Sequence, residues 1–517
     1  MPVATPVLEL PIDLSRQAST PLPAQLAAEL RRAIDRGTLR PGETLPATRT
    51  LAASLGVARG VVVAAYEQLV AEGYLIAGHG RGTRVRPELA ATGHPAGRAL
   101  RRTGAPAARS AFAAASRVPA TRTRPQPPLA PGTPDTSAVD RPAWRAAWRL
   151  AAGRAHVEAP DLGDPRLRAA IAEHLRQTRA TNRAAADVIV TAGARDGLGL
   201  LLTALGTTSG RRLVVGVEDP GYPSLRRVAI RHGAHIVALP VDADGLDPSQ
   251  LPDGLLDLVI VTPSHQYPLG GSLPLGRRRE LLAWAARTGA VIVEDDYDSE
   301  LRHSGSPLPA LAALDDPDAG SVVLLGTFSK TISQALSAGF LVAPAKLRDM
   351  IEPVRHDLGG PVSAVVQAAL ADYLTSGELR RHTARMRRRY AAKRALVLER
   401  LGDLPGVRVR PMSGGLHAVL EFGADQAAAR AEREAAARCA ELGLGPVPLS
   451  GYWQRHASAG ERFGLVVGTG GPDRPEFERA LADLREILAE VRAEAEAGAA
   501  GTPAGNAQPV GDDTVGA

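Results

Sequence analysis

The chain has 517 residues, 44% of them apolar, and its 61 Lys and Arg against 55 Asp and Glu give a formal net charge of +6. That is too long for one ordinary domain and apolar enough for real cores. It holds no run near the ~18 apolar residues of a membrane helix, and MPVATPVLELPIDLSRQ lacks the basic start and apolar stretch of a signal peptide. The single cysteine, Cys439, excludes an internal disulfide and a cysteine-built zinc site, and fits a reducing cytoplasm.

Residues 1–87 carry ten Arg against seven Asp and Glu, and residues 88–128 carry seven Arg against one Glu. The positive charge gathers at the N-terminal end, as in a polyanion-binding arm. An Arg-rich compositional habit is the alternative source of the charge in 88–128. Within 20–87, Pro23–Asp35 puts Leu26, Leu30 and Ile34 at helical spacing. RGTLRPGETLP reads as a loop. Ala47–Leu55 is a short helix, Gly56-Val57 a turn, and Arg59–Glu72 a second helix with Val62, Ala65, Tyr66 and Leu69 inward. YLIAGHGRGTRV reads as strand, Gly-rich turn, strand. Two short helices and a Gly-rich hairpin suit winged-helix DNA binding, with the second helix in the major groove. Arg59 and Gly60 then face bases or phosphates, and Arg49 reaches phosphate. Arg81 and Arg84 flank Gly82 and Thr83 at the wing. A helical hairpin for protein contacts, with solvated arginines, is the competing reading.

Residues 88–128 are Ala, Arg, Pro, Thr and Ser without periodicity, a flexible basic linker. A structureless stretch of about 40 residues marks a domain boundary. From 129 onward, DVIVTAG, RRLVVGVEDP, AHIVALPV, LDLVIVTPS, AVIVEDD, SVVLLGTFSK and GFLVAP read as buried strands, with helical stretches between most of them. The pattern implies an α/β body with a mostly parallel central sheet covered on both faces. After Pro353 come long helices, then RVRPMSGGLHAVLEF and RFGLVVGTG, a smaller α+β subdomain. The reading gives 1–87 as DNA-binding domain, 88–128 as linker, 129–495 as the second body, and 496–517 as a tail too poor in apolar residues to fold.

Only three of the 61 basic residues are Lys: Lys330, Lys346 and Lys393. Arg serves wherever plain charge suffices, so each Lys is a candidate for amine chemistry, which a guanidinium cannot do. Pyridoxal-phosphate (PLP) chemistry needs an amine, an acid at the pyridine nitrogen, a phosphate cradle and a ring sandwich. Lys330 ends a strand in GTFSK, beside the hydroxyls of Thr327 and Ser329. Asp295 and Tyr297 end the strand AVIVEDDYD. Gly193, Ala194, Arg195 and Asp196 follow VIVT and open a helix, whose N–H groups suit an anion. Tyr222 in EDPGY offers an aromatic face. Each signal alone is weak, but together they stand at the strand ends where such sheets bind ligands.

LRPGETLPATRTLAASLGVARGVVVAAYEQLVAEGYLIAGHGRGTRV resembles the GntR-type winged helix over its full length. That resemblance implies DNA contacts at Arg49, Arg59 and the wing around Gly82; Gly60 departs from the usual polar residue there. With VEDPGYPSLR, VTPSHQYPLGG, VEDDYDSELR, PLPALAALD and GTFSKT behind it, the chain resembles the MocR subfamily, in which a winged helix is joined to a fold-type-I aminotransferase-like domain. The resemblance implies a transcription regulator binding an operator as a homodimer, with PLP and an amino-acid-like effector as ligands. It implies Lys330 as the imine lysine, Asp295 at the pyridine nitrogen, Tyr297 at the ring oxygen and Tyr222 stacked on the ring. Thr327, Ser329 and Gly193–Arg195 would hold phosphate, His265 and Gln266 would line the pocket, and Arg462 would grip an effector carboxylate. Ser337 stands where the family usually has a phosphate-binding Arg, Arg195 and Asp196 follow the glycine turn in place of Gln, and Ser224 sits where one branch has an effector-binding Arg. Three readings follow: a PLP-sensing regulator of PLP, amine or amino-acid genes, a working aminotransferase with an appended DNA domain, and a regulator that has lost PLP.

Overall fold

The computed structural model describes residues 12, 14–15, 21–78, 82–87, 126–139, 141–155, 158–302, 308–412, 414–454 and 461–500. The linker reading of 88–125, the wing-tip Arg81 and residues 501–517 lie outside them.

The N-terminal part runs α1 (Leu22–Asp35), α2 (Thr48–Ser54), α3 (Arg59–Ala71), β1 (Leu75–Gly78) and β2 (Gly82–Val85). The inward stripe of Leu26, Leu30, Val62, Ala65, Tyr66 and Leu69 closes a small core over the hairpin. Residues 42–45 lie along β2, with Leu45 N–H donating to Thr83 O (2.8 Å) and Val85 N–H to Glu43 O (2.8 Å). Arg31 on α1 grips Glu72 in two-pronged fashion, with bonds of 2.6 to 3.0 Å, tying α1 to the end of α3.

Next come α4 (Pro142–Ala152), α5 (Pro165–Arg179), β3 (Val188–Thr191), α6 (Ala194–Ser209), β4 (Val214–Asp219), α7 (Pro223–Arg231), β5 (His235–Asp242), β6 (Gly245–Leu246), β7 (Leu258–Val261), α8 (Leu275–Thr288), β8 (Val291–Asp296), β9 (Val322–Thr327), β10 (Gly339–Val342), α9 (Ala345–Leu358), α10 (Ala364–Thr375) and α11 (Glu378–Leu401). The eight strands take the order β3-β10-β9-β8-β7-β4-β5-β6. All seven apolar runs become strands of this sheet. The central strands β7, β8 and β9 are buried almost throughout, because helices cover both faces. Leu198, Leu225 and Leu347 pack one face, and Leu167, Leu281 and Leu370 the other. β10 runs antiparallel to both its neighbours.

The chain divides into two compact units. The larger holds the winged helix and the eight-stranded sheet. Among the described residues the smaller comprises 127–133, 391–411, 416–454 and 461–500. It carries β11 (Arg408–Val409), β12 (His417–Gly423), α12 (Gln426–Glu441), β13 (Val447–Pro448), β14 (Phe463–Gly468) and α13 (Arg474–Ala500), with an antiparallel sheet β11-β12-β14-β13. Pro127 and Pro128, read as linker from sequence, belong here, and Leu129 bonds Leu444 O and Gly468 N on either side. Helix α13 continues to Ala500, past the expected tail boundary at 495. Lys393 is buried in this unit, with its ammonium on the carbonyls of Gly470 (3.2 Å) and Pro472 (2.5 Å).

Candidate functional site

Strand register brings the sequence-predicted residues to one edge. Thr191 pairs with Gly339, Gly339 with Thr327, and Asp296 with Gly326, so the ends of β3, β9 and β8 lie side by side at the start of β10. Gly193 leaves β3 at φ 102°, a conformation that favours glycine. At Gly339 an added Cβ would stand 2.5 Å from Gly326 O and 2.8 Å from Gly193 Cα, so the backbones meet directly. Thr327 Oγ1 lies 3.8 Å from where a Gly193 Cβ would sit and accepts from Ser329 N–H (3.1 Å). Ala194 and Arg195 open α6 beside this turn. Asp196 accepts from Ala192 N–H (3.0 Å) and from Arg355 Nη2 (2.8 Å), and Arg355 is buried. The result is a glycine turn at a helix N-terminus, whose N–H groups suit a phosphate.

Lys330 follows β9. Burial lowers its pKa first of all; Asp298 and Asp295 act against that, and Arg195 adds to it. Burial pushes Asp295 up to about 7, aided by Asp296, Asp298 and Glu218 and opposed by Lys330. A carboxyl held this way is stabilised as an anion by any cation placed against it, and a protonated pyridine is one. Tyr297 donates to His265 O (3.0 Å), and its ring stacks on His265 at 6.0 Å. His265 Nδ1 lies 2.9 Å from Tyr297 Oη and 3.0 Å from Asp298 Oδ1. Tyr222 is partly exposed and meets Tyr267 edge-on at 5.5 Å; Tyr267 meets Tyr297 likewise at 5.5 Å. Gln266 is buried, and its amide is taken up by Pro220 O (2.8 Å) and Tyr267 O (2.9 Å), so it braces the loop. Amine, acid and glycine turn therefore fit PLP by their chemistry.

Sequence reasoning missed Tyr267, Asp298 and Glu218. Asp298 ends the EDDYD run that was singled out, and a carboxylate beside a pocket histidine was the available signal. Glu218 is buried and pushed up to about 7, burial being the main cause, while bonds from Thr262 and Gln266 pull the other way. Nothing in EDPGY distinguishes it from a solvated acid.

On the winged helix, Arg49, Arg59 and Gly60 are exposed, the last two in the first turn of α3. Arg59 Nε donates to Thr48 Oγ1 (3.3 Å). No acidic residue occupies that first turn, so its N-terminal dipole is open to phosphate. Gly82 turns at φ 74°, with Thr83 and Arg84 following on β2.

A family model described as bacterial regulatory proteins, gntR family, matches residues 22–85, and one described as aminotransferase class I and II matches residues 128–441. The pyridoxine biosynthesis transcriptional regulator PdxR of Corynebacterium glutamicum is 42% identical over 93% of this chain and 99% of its own. The probable rhizopine catabolism regulatory protein MocR of Rhizobium meliloti is 37% identical over 74% of this chain and 78% of its own. The chain belongs to the MocR-type transcriptional regulators. The fold of its large body is that of an archaeal alanine:glyoxylate aminotransferase, at 21% identity and TM-score 0.62 over 71% of this chain and 92% of that one.

In this MocR-type regulator Ser337 is exposed, at φ 42° on the turn before β10, and supplies no cation to the cradle. Ser224 is buried in the first turn of α7 and hydrogen-bonds Tyr222. Arg462 belongs to the smaller unit, exposed just before β14, and donates to Glu461 O (3.3 Å).

Proposed function

We propose that this regulator senses PLP, captured through Lys330, and controls genes of PLP supply from the cytoplasm as a homodimer reading two half-sites. The observation that carries the reading is the meeting of the half-buried Lys330 amine, the buried Asp295 acid and the Gly193 turn at one sheet edge. The likeness to a pyridoxine biosynthesis regulator over nearly the whole chain supports the choice of genes. When bound, PLP offers an aldehyde to an amine and a ring that draws electrons. Lys330 would hold that aldehyde; its lowered pKa raises the share of neutral, nucleophilic amine. Asp295 would hold a proton at the ring nitrogen, and Tyr297 with His265 would hold the ring oxygen. Tyr222 covers one ring face. Arg462 would hold the carboxylate of an amino-acid-like effector by a two-pronged contact. Ligand can move the DNA-bound population only by its differential affinity for two arrangements.

Titration of the purified chain with PLP, read by visible absorption, tests this. The wild type should develop the band of a lysine-bound aldehyde, Lys330→Ala should not, and PLP should shift affinity for the promoter of the pyridoxine biosynthesis genes. Absence of the band in wild type, with unshifted promoter binding, would sink the reading. Steady turnover of an amino donor would favour a working aminotransferase instead.

A further inference from the structure

Helix α11 meets three loops of the large unit with polar side chains. Arg387 Nε donates to Arg302 O (2.9 Å), and Tyr390 Oη accepts from Asp135 N–H (3.0 Å). Nearer the start of the helix His382 is buried, and its Nε2 lies 2.7 Å from Thr331 O. Thr331 directly follows Lys330. An imidazole costs free energy to bury unless it is hydrogen-bonded. An apolar side chain would fill the same space without that cost, so the bond to Thr331 is what an imidazole adds here.

That bond fixes the state of the ring. A carbonyl oxygen has no proton to give, so Nε2 carries the hydrogen and donates it. Nδ1 is buried, with no hydrogen-bond partner among the described residues. A proton there as well would leave a buried cation unsatisfied. Burial lowers the pKa of His382 first of all; the bond to Thr331 O acts against that, and the charge of Arg385 adds to it. His382 is therefore a neutral donor in one tautomer.

The turn it holds is the one that carries Lys330. Ile332 N–H and Ser333 N–H both donate to Phe328 O (2.8 and 3.2 Å), which wraps the chain around Lys330. Ahead of the lysine, Phe328 N–H donates to Ala338 O (3.1 Å) and Ser329 N–H to Thr327 Oγ1 (3.1 Å), fastening the turn to the sheet. Behind it, His382 fastens Thr331 to α11. We infer that His382 is a positioning residue for the imine lysine: through the Thr331 peptide group it sets where the Lys330 amine stands. This rests on PLP capture by Lys330. A lysine already held in place has less freedom to lose when it bonds the aldehyde.

Two ligands separate this role from general support of the pocket. PLP can bond to Lys330, whereas pyridoxamine phosphate carries an amine in place of the aldehyde and cannot. Two substitutions separate a donor from a filler: Gln can place its amide nitrogen where Nε2 stands, and Asn is too short. In the full chain, His382→Leu and His382→Asn should each weaken PLP binding about 3- to 10-fold, the range of one hydrogen bond, as read by the band of the lysine-bound aldehyde. Pyridoxamine phosphate, followed by titration calorimetry, should bind both variants as it binds wild type. His382→Gln should restore wild-type PLP affinity. Equal weakening of the two compounds, or equal PLP affinity in the Gln and Asn variants, overturns the inference. So does undiminished PLP affinity in a Leu variant that melts as wild type does. If the Leu variant does not fold, the Gln and Asn pair decides alone. A wild type that takes up pyridoxamine phosphate but forms no band with PLP overturns the sensor reading instead.

Discussion

The carboxylate of Asp196, just past the glycine turn, serves two donors at once, Ala192 N–H and the buried Arg355. It positions the turn that forms the cradle without reaching the pocket. Asp196→Asn should therefore weaken PLP binding by about 10-fold, as expected for a lost charged hydrogen bond, yet leave pyridoxal, which has no phosphate, unchanged. Equal losses for the two compounds would show a general unfolding of the pocket. Arg195, in the first turn of α6, is proposed to supply the charge that Ser337 lacks. Arg195→Ala should cost PLP about 10- to 100-fold, the range of a charged hydrogen bond, and spare pyridoxal. Asp295 gives a pH dependence. Its folded pKa of about 7 lies above the ordinary 3.8, so the native state without PLP holds a proton that the unfolded chain releases. Its contribution to stability is full below about pH 4 and is lost as the pH rises toward 7. Melting temperatures measured across that window should fall more steeply for wild type than for Asp295→Asn. That Lys330, Asp295 and Tyr297 would gather at neighbouring strand ends was legible, because the apolar runs of β8 and β9 stop at those residues. Tyr267 was not, since a tyrosine in a loop reads the same whether its ring meets two others or faces water.

At the scale of elements, α3 and the hairpin make the DNA assignment testable. Arg49→Ala and Arg59→Ala should each weaken operator binding and lower the salt slope by about one ion per lost phosphate contact. An unchanged slope in both would place those arginines off the DNA. The clasp between α1 and α3 matters for folding. Glu72→Ala strips Arg31 and Gln68 of a buried acceptor, and thermal melts should show a loss of about 1–3 kcal/mol. The strands were readable because a sheet covered on both faces demands unbroken apolar runs, and all seven supply them. The direction of β10 was not readable, since GFLVAP is equally apolar either way and only its pairing with β3 and β9 decides. The two-residue β6 is too short for any period to show. Pro353 lies inside α9 without ending it, and α13 outlasts its apolar stripe, continuing through Ala- and Glu-rich turns of high helix propensity.

At the scale of the whole molecule, charge segregation and the shift from helical to strand periodicity point to the two family matches, at residues 22–85 and 128–441. They were not enough to show that 127–133 adds to the core of the smaller unit while 134–390 builds the larger. That exchange depends on partners hundreds of residues away, such as Leu444 for Leu129. If the chain acts as a two-fold pair, operators with half-sites about 34–36 Å apart, one helical turn, should bind best. Inserting half a turn between them should abolish cooperative binding, as read by gel shift.

The scarcity of lysine has a practical outcome for an aldehyde ligand. Lys393 has its nitrogen clamped between two carbonyls, which leaves Lys346 as the sole surface competitor of its kind for Lys330. Most proteins steeped in excess aldehyde acquire a scatter of adventitious adducts. Borohydride fixation here should instead yield a mass spectrum dominated by one pyridoxyl mark per polypeptide, so stoichiometry could be counted without any correction for background.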